Sequence, residues 1–214
     1  QFREALHAVL RPPRPKVRED LPAKMEPQTS AMLDQAIVGL GPVVPSGADI
    51  SEEVTVFVLS VGGPDFLDCL AALKKQDCKF GGPVIIANVA PMNVSFQQML
   101  DRCQTPYFVQ VDEDMILKPY AIRHLHGAIS QVPARFPIVC YGLYDTLFER
   151  NIVGVKIYRH EILKRYPYQA SPSCEMDQAE RMKLDGYQIL LDWREEGGGI
   201  IEKDLTHPKI LGLH

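Results

Sequence analysis

With 214 residues, 46% hydrophobic and 23% charged, the chain has the size and balance of one sizeable globular domain, or one domain with an extension. A net charge of −4 excludes a general electrostatic hold on nucleic acid, so an anionic substrate would need a local site or a metal. The longest apolar runs are strand-length, which excludes a readable transmembrane helix.

Residues 1–50 are predicted to form an arm, and residues 51–214 the main domain. Gln1 to Leu10 could form a short helix. Pro12, Pro13, Pro15, Pro22 and Pro27 then follow among basic residues, a density that blocks both helix and ladder pairing. A second short helix is expected from Met32 to Leu40. No signal-peptide pattern opens the chain, and the lack of an initial Met suggests a start inside a longer product. Cys69, Cys78, Cys103, Cys140 and Cys174 are odd in number and widely spaced, with no C-x-x-C. They read as buried free thiols in a reducing, cytoplasmic setting.

From Val54 the pattern changes. Val54 to Val61 is a β-branched, apolar run suited to a strand covered on both faces. Pro64 and Asp65 suit the first turn of a helix, in which Phe66, Leu67, Leu70 and Leu73 follow helical spacing. Gly81-Gly82-Pro83 is expected to break the chain before a second buried strand, Val84 to Ala87. Asn93 is a candidate cap for a helix carrying Phe96, Met99 and Leu100. Thr105-Pro106 ends that helix, and Tyr107 to Val111 reads as a third strand. This β-α-β-α-β order predicts an α/β fold with helices on the faces of a largely parallel sheet. Later strands are predicted at 138–143, 153–158 and 188–193, with a helix over 175–185.

Such sheets bind ligands beyond the carboxyl ends of their strands, so Ser60–Gly63, Asn88–Asn93 and Asp112–Asp114 should line a crevice. Asp112-Glu113-Asp114 is the sharpest chemical signal. If the chain is extended there, Asp112 and Asp114 project to the same side. Close carboxylates repel, and a hard divalent cation such as Mn²⁺ or Mg²⁺ would offset that repulsion, with substrate phosphates completing its shell. A solvated acidic turn is the plain alternative. Glu175 and Asp177 open a predicted helix, where they could cap it or serve as a general base. Arg181, four residues after Asp177, could be its helical ion-pair partner or contact substrate. His124 and His126 are two apart on a helix and make a poor metal pair, while His7 and His160 read as surface residues. Tyr187 and Trp193 fit core packing better than a sugar-stacking wall. Gly197-Gly198-Gly199, with no Lys after it, reads as a flexible turn.

Three runs together resemble the GT-A glycosyltransferases, especially the large inverting family 2. They are Thr105 to Asp114 ending in D-x-D, Gly154 to Leu163, and Cys174-Glu-Met-Asp177…Arg181…Gly186-Tyr187. The likeness spans roughly residues 54–214 and implies a GT-A type, Rossmann-like mixed sheet. It further implies metal-dependent transfer of a sugar from a nucleotide sugar, UDP-sugar favoured, to the hydroxyl of a saccharide or other acceptor, with inversion. Asp112 and Asp114 would hold the metal, joined by a late histidine, His207 or His214. Glu175 would occupy the base position with Asp177 close behind. Ser60, Gly62, Asn88, Asp112 and Arg181 would contact the nucleotide. The chain departs from the family at Ser60-Val61-Gly62-Gly63, where a Pro-Thr-Tyr-Asn type loop is usual. It departs again at Asn88, where acidic residues usually hold the base. Two alternatives follow: a non-catalytic nucleotide- or sugar-binding protein on the same scaffold, or a sugar-phosphate nucleotidyltransferase. The second would normally carry a basic Gly-rich loop after the first strand.

Overall fold

A computed structural model describes residues 44–145, 150–192 and 206–207. Strand β1 (Val54–Ser60) lies between β2 (Gly81–Ala87) and β3 (Tyr107–Asp112), parallel to both. Its Val54, Val56, Phe57 and Val58 are fully buried, as a central strand covered on both faces requires. Among the described residues the sheet has six strands in the order β2-β1-β3-β6-β5-β7, with β5 at Ile138–Asp145, β6 at Arg150–Arg159 and β7 at Ile189–Asp192. β6 runs antiparallel to both its neighbours, β3 and β5, which makes the sheet mixed.

Helices α1 (Phe66–Lys74) and α2 (Met92–Arg102) form the two crossovers among β1, β2 and β3. The chain steps from β1 out to β2, then back past β1 to β3. The order therefore reverses between β1 and β3, and a ligand crevice opens at such a switch point. α1 buries Cys69, Ala72 and Leu73, and α2 buries Phe96, Met99 and Leu100, each at three- and four-residue spacing. Helix α3 (Ala121–Gln131) packs against β5 and β6 through a stripe that includes Ile122, Leu125 and Ile129. Helices α4 (His160–Leu163) and α5 (Cys174–Leu184) follow β6.

One face of the sheet, with α2 and α5, encloses Phe57, Ile86, Phe96, Met99, Phe108, Tyr158 and Met182. Phe108 is its centre. It sits directly opposite Tyr158 in the β3–β6 ladder, stacks on that ring at 4.6 Å, and meets Phe57 edge-on at 6.0 Å. Helix α5 ends in a backbone motif that explains its Gly-Tyr terminus. Gly186 takes φ +86°, its N–H donates to Lys183 O, and Tyr187 N–H donates to Met182 O.

Several expectations change. Gly81-Gly82-Pro83 does not precede β2 but opens it. β2 is an edge strand among the described residues, and an edge tolerates proline. Asn93 lies inside α2, whose N-cap position is Pro91. His160 is buried, not superficial, with Nε2 2.8 Å from Leu100 O. All five cysteines are buried free thiols. Of the predicted arm, residues 44–50 are described. Gly47 N–H donates to Asp77 O at 2.6 Å, Arg123 donates to Val44 O, and Ile50 is buried. The two short helices expected before residue 44, His7, Trp193 and the 197–199 turn lie outside the described residues. Among the described residues no helix is long and apolar enough to cross a membrane.

The ring stack at Phe108 gives a direct stability test. Phe108→Ala is expected to lower unfolding free energy by about 3–5 kcal/mol, the range for deleting a buried aromatic side chain. Urea denaturation checks it.

Candidate functional site

The ends of β1 and β3 are aligned, Leu59 opposite Asp112, and the acidic turn continues from there. Glu113 N–H donates to Leu59 O at 3.0 Å, extending the ladder by one bond, and Met115 N–H donates to Asp112 O, closing the turn. The Glu113 side chain is turned onto the loop after β1. Its carboxylate accepts from Ser60 Oγ at 2.5 Å, Val61 N–H at 3.2 Å, Gly62 N–H at 3.2 Å and Gly63 N–H at 3.0 Å. Gly62 adopts φ +84°, which lets successive N–H groups converge in an anion-binding nest. A Cβ on Gly63 would lie 2.8 Å from Glu113 Oε1, so glycine there permits the close approach. Burial pushes the Glu113 carboxyl up, but the Ser60 hydroxyl and the three N–H donors outweigh it and hold its pKa below the ordinary value.

Asp112 is tied differently. On the face that carries Phe108, Gln110 and Asp112 are two apart, and Gln110 Nε2 donates to Asp112 Oδ1 at 3.1 Å. Gln110 Oε1 accepts from Tyr158 OH at 2.9 Å. Tyr158 OH also lies 3.3 Å from Glu175 Oε1, and Lys156 Nζ donates to that same oxygen at 2.7 Å. A chain of polar contacts thus runs from Asp112 on β3, through Gln110 and Tyr158, to Glu175 in the first turn of α5. Burial alone would lower the Lys156 pKa. The adjacent Glu175 carboxylate more than offsets this and holds it above its ordinary value, so Lys156 is a cation. Burial raises the Tyr158 hydroxyl well above its usual range, so it remains a neutral donor.

The sequence-predicted residues therefore fall into separate groups. Asp112 and Glu175 are joined by the polar chain, and Asp114 sits in the turn directly after Asp112. Ser60 and Gly62 are present at the crevice, but their donors are engaged by Glu113. Asn88 follows β2 at φ +54°, exposed, with its N–H donating to Ser60 O at 2.8 Å. Asp177 pairs with Arg181 at 2.9 Å within α5, and Arg181 also donates to Pro167 O at 2.7 Å. Tyr187 packs edge-on to Tyr166 and lies under the Arg165 guanidinium. His207 pairs with Ile116 in a small antiparallel ladder between β4 (Ile116–Leu117) and β8 (Thr206–His207), placing it two register positions past Asp114. His214 lies outside the described residues. His126 is buried on α3, 2.9 Å from Glu53.

The sequence reading missed Gln110, Lys156 and Tyr158. The signal was present: Gln110 and Lys156 are polar residues flanked on both sides by apolar ones within their strands, and a buried polar side chain is the informative exception. Among the described residues, no group of three or more Cys, His, Asp and Glu is arranged to hold a metal. The turn offers the carboxylates of Asp112 and Asp114 as candidate donors. That suits a hard cation whose remaining ligands are substrate phosphates and water.

No protein-family model matches the chain, and no curated protein matches it. Solved structures do resemble it. A mannosyltransferase from Pyrobaculum calidifontis, PcManGT, in complex with GDP-Man and Mn²⁺, aligns with a TM-score of 0.52 and 10% identity, covering 77% of this chain and 64% of that one. Residues 1–349 of S. aureus TarS align at 0.43 and 12% identity, over 60% of this chain and 54% of that one. A CMP:2-keto-3-deoxy-manno-octonic acid synthetase complexed with CTP aligns at 0.44 and 11% identity, over 65% and 89%. The fold is GT-A-like, a mixed α/β sheet flanked by helices. The chain spans just under two thirds of the mannosyltransferase's length.

Glu113→Gln is expected to cost about 1–3 kcal/mol of stability at neutral pH, because a charge-assisted acceptor of several donors is lost. The sign with pH follows from the lowered pKa. The carboxylate's contribution is complete above the ordinary value of 4.5 and is lost as pH falls through the lower folded value. Urea denaturation of both forms should show the gap at neutral pH closing in acid.

Proposed function

We propose that this chain is a metal-dependent transferase acting on nucleotide-activated sugars, most specifically a glycosyltransferase using a UDP-sugar. The observation that supports it is the polar chain from Asp112 to Glu175, because it links the acidic turn, at the carboxyl ends of β1 and β3, to the α5 acid. Asp112 and Asp114 are the residues that would hold Mn²⁺ or Mg²⁺. When bound, the cation supplies charge neutralisation for the diphosphate leaving group. Of the two late histidines, His207 is the one whose backbone register is described, beside Ile116, and it is taken as the candidate further ligand.

Glu175 is favoured over Asp177 as the group that accepts the acceptor hydroxyl's proton, since it is Glu175 that the polar chain links to Asp112, whereas Asp177 pairs with Arg181 along its own helix. Lys156 and Tyr158 hold the Glu175 carboxylate at one oxygen, Oε1. A carboxylate suits this role because the hydroxyl becomes acidic only as its bond to the sugar forms. Single displacement would invert the anomeric centre, through an oxocarbenium-like transition state.

A second reading has one specific observation in its favour. Glu113 engages the donors of the β1 loop, and a non-catalytic protein on this scaffold could tolerate a nucleotide crevice closed in that way. Nucleotidyl transfer is less well supported, because Ser60–Gly63 contains no basic residue and its N–H groups face Glu113.

Asp114→Ala is expected to abolish binding of nucleoside diphosphate in Mn²⁺ by titration calorimetry, with thermal unfolding unchanged. Unaltered affinity would refute the metal assignment. Glu175→Gln is expected still to bind but to lower turnover of the accepted nucleotide sugar by about 10²–10⁴, the usual contribution of a general base. Full binding with no turnover by the wild-type chain, across a screen of nucleotide sugars and acceptors, would favour the non-catalytic reading.

A further inference from the structure

We propose that Gln110 and Tyr158 are positioning residues that couple the Asp112 carboxylate to the Glu175 carboxylate, so that each half of the site senses the other. This rests on the reading of Asp112 as a metal ligand and Glu175 as the base.

Both ends of the chain are carboxylates, which only accept. Between them, Gln110 must present its amide NH₂ to Asp112 and its amide oxygen to Tyr158, so both neighbours dictate its orientation. The Tyr158 hydroxyl has one proton and two acceptors in reach, Gln110 Oε1 at 2.9 Å and Glu175 Oε1 at 3.3 Å. It can serve only one fully at a time. Gln110 is 4% exposed and Tyr158 1%, so bulk water does not substitute for a lost partner. Such a group left unsatisfied in the interior is costly, which makes the arrangement discrete instead of graded.

The scaffold holds the rest still. Phe108 stacks on the Tyr158 ring, and the register Gln110↔Lys156 and Phe108↔Tyr158 fixes the two strands against each other. Lys156 holds Glu175 Oε1 independently of Tyr158. A change in how strongly Asp112 Oδ1 accepts from Gln110 is therefore passed on to the Tyr158 proton and its choice between Gln110 and Glu175. By linkage the effect is reciprocal, so altering Glu175 must alter how the Asp112 end binds.

A double-mutant cycle read by binding tests this without any acceptor. Titration calorimetry would measure Mn²⁺ with each of UDP, GDP and CDP on wild type, Glu175→Gln, Tyr158→Phe and the pair. Tyr158→Phe keeps the ring that stacks on Phe108, and circular dichroism and thermal unfolding verify its fold. Glu175→Gln should shift the dissociation constant by about 3- to 10-fold in the wild-type background, and by less than about 2-fold with Tyr158→Phe, a coupling within the usual range for contacting residues. Gln110→Met, removing the middle link, should abolish the shift in the same way. If the Glu175→Gln shift persists undiminished in both backgrounds, it acts through space as simple charge and the coupling is refuted. If the wild type binds none of the three nucleotides with Mn²⁺ at millimolar concentration, the functional reading itself falls and the proposal with it.

Discussion

Three carboxylates in succession cannot share one small volume at neutral pH without some compensating arrangement. Like charges about 5 Å apart repel by about 3 kcal/mol at an effective dielectric near 20. The chain meets this constraint by sending the middle carboxylate to the loop after β1, where a hydroxyl and three N–H groups receive it. That interaction fastens the end of β3 to the end of β1 at the point where the strand order reverses. It also separates the turn's carboxylates: Glu113 is engaged by the β1 loop, while Asp112 accepts from Gln110 on the strand's other side. The glycines at 62 and 63 belong to the same device, one for its positive φ and the other for the close approach of Glu113.

The second organising feature is the column on the helix-covered face formed by α2 and α5. Phe108, Gln110 and Asp112 rise along β3, and Tyr158 and Lys156 stand beside them on β6. The column passes from fully apolar at Phe108 to fully charged at Asp112 in two steps. Gln110 is the transition, buried yet hydrogen-bonded at both ends of its amide. Because β6 is antiparallel to β3, its Lys156 arrives at the same level as Gln110, under the first turn of α5. The mixed sheet is thus what brings a cation and a tyrosine between the two acidic groups.

The β-α-β-α-β order was legible because each signal was local: β-branched runs for strands, three- and four-residue spacing for helices, and Pro or Gly between them. The acidic turn and the acidic start of α5 were legible for the same reason. Legibility failed where tertiary placement overrode local chemistry. Gly81-Gly82-Pro83 carries the marks of a break, yet an edge position lets it pair with β1. His160 has polar neighbours in sequence but is held inside by the Leu100 carbonyl, 60 residues away. Ser60 and Gly62 have a partner that local sequence does not show, Glu113, more than 50 residues on. No spacing rule could have shown that contact, or the pairing of Lys156 with Glu175, since both depend on strand order. Gln110 is the residue that should have been noticed, because a lone amide within a buried strand has to have a partner.

Glu113 is held by the loop after β1, and the proposed function assigns Asp112 and Asp114 to the metal. Anomalous diffraction at the manganese edge, from crystals grown with Mn²⁺ and UDP, tests that division directly. The account predicts one manganese peak about 2.1 Å from carboxylate oxygens of Asp112 and Asp114, with Glu113 still bound to Ser60 and the Val61–Gly63 amides. A peak ligated by Glu113, or a bound nucleotide with no manganese at the turn, would contradict it.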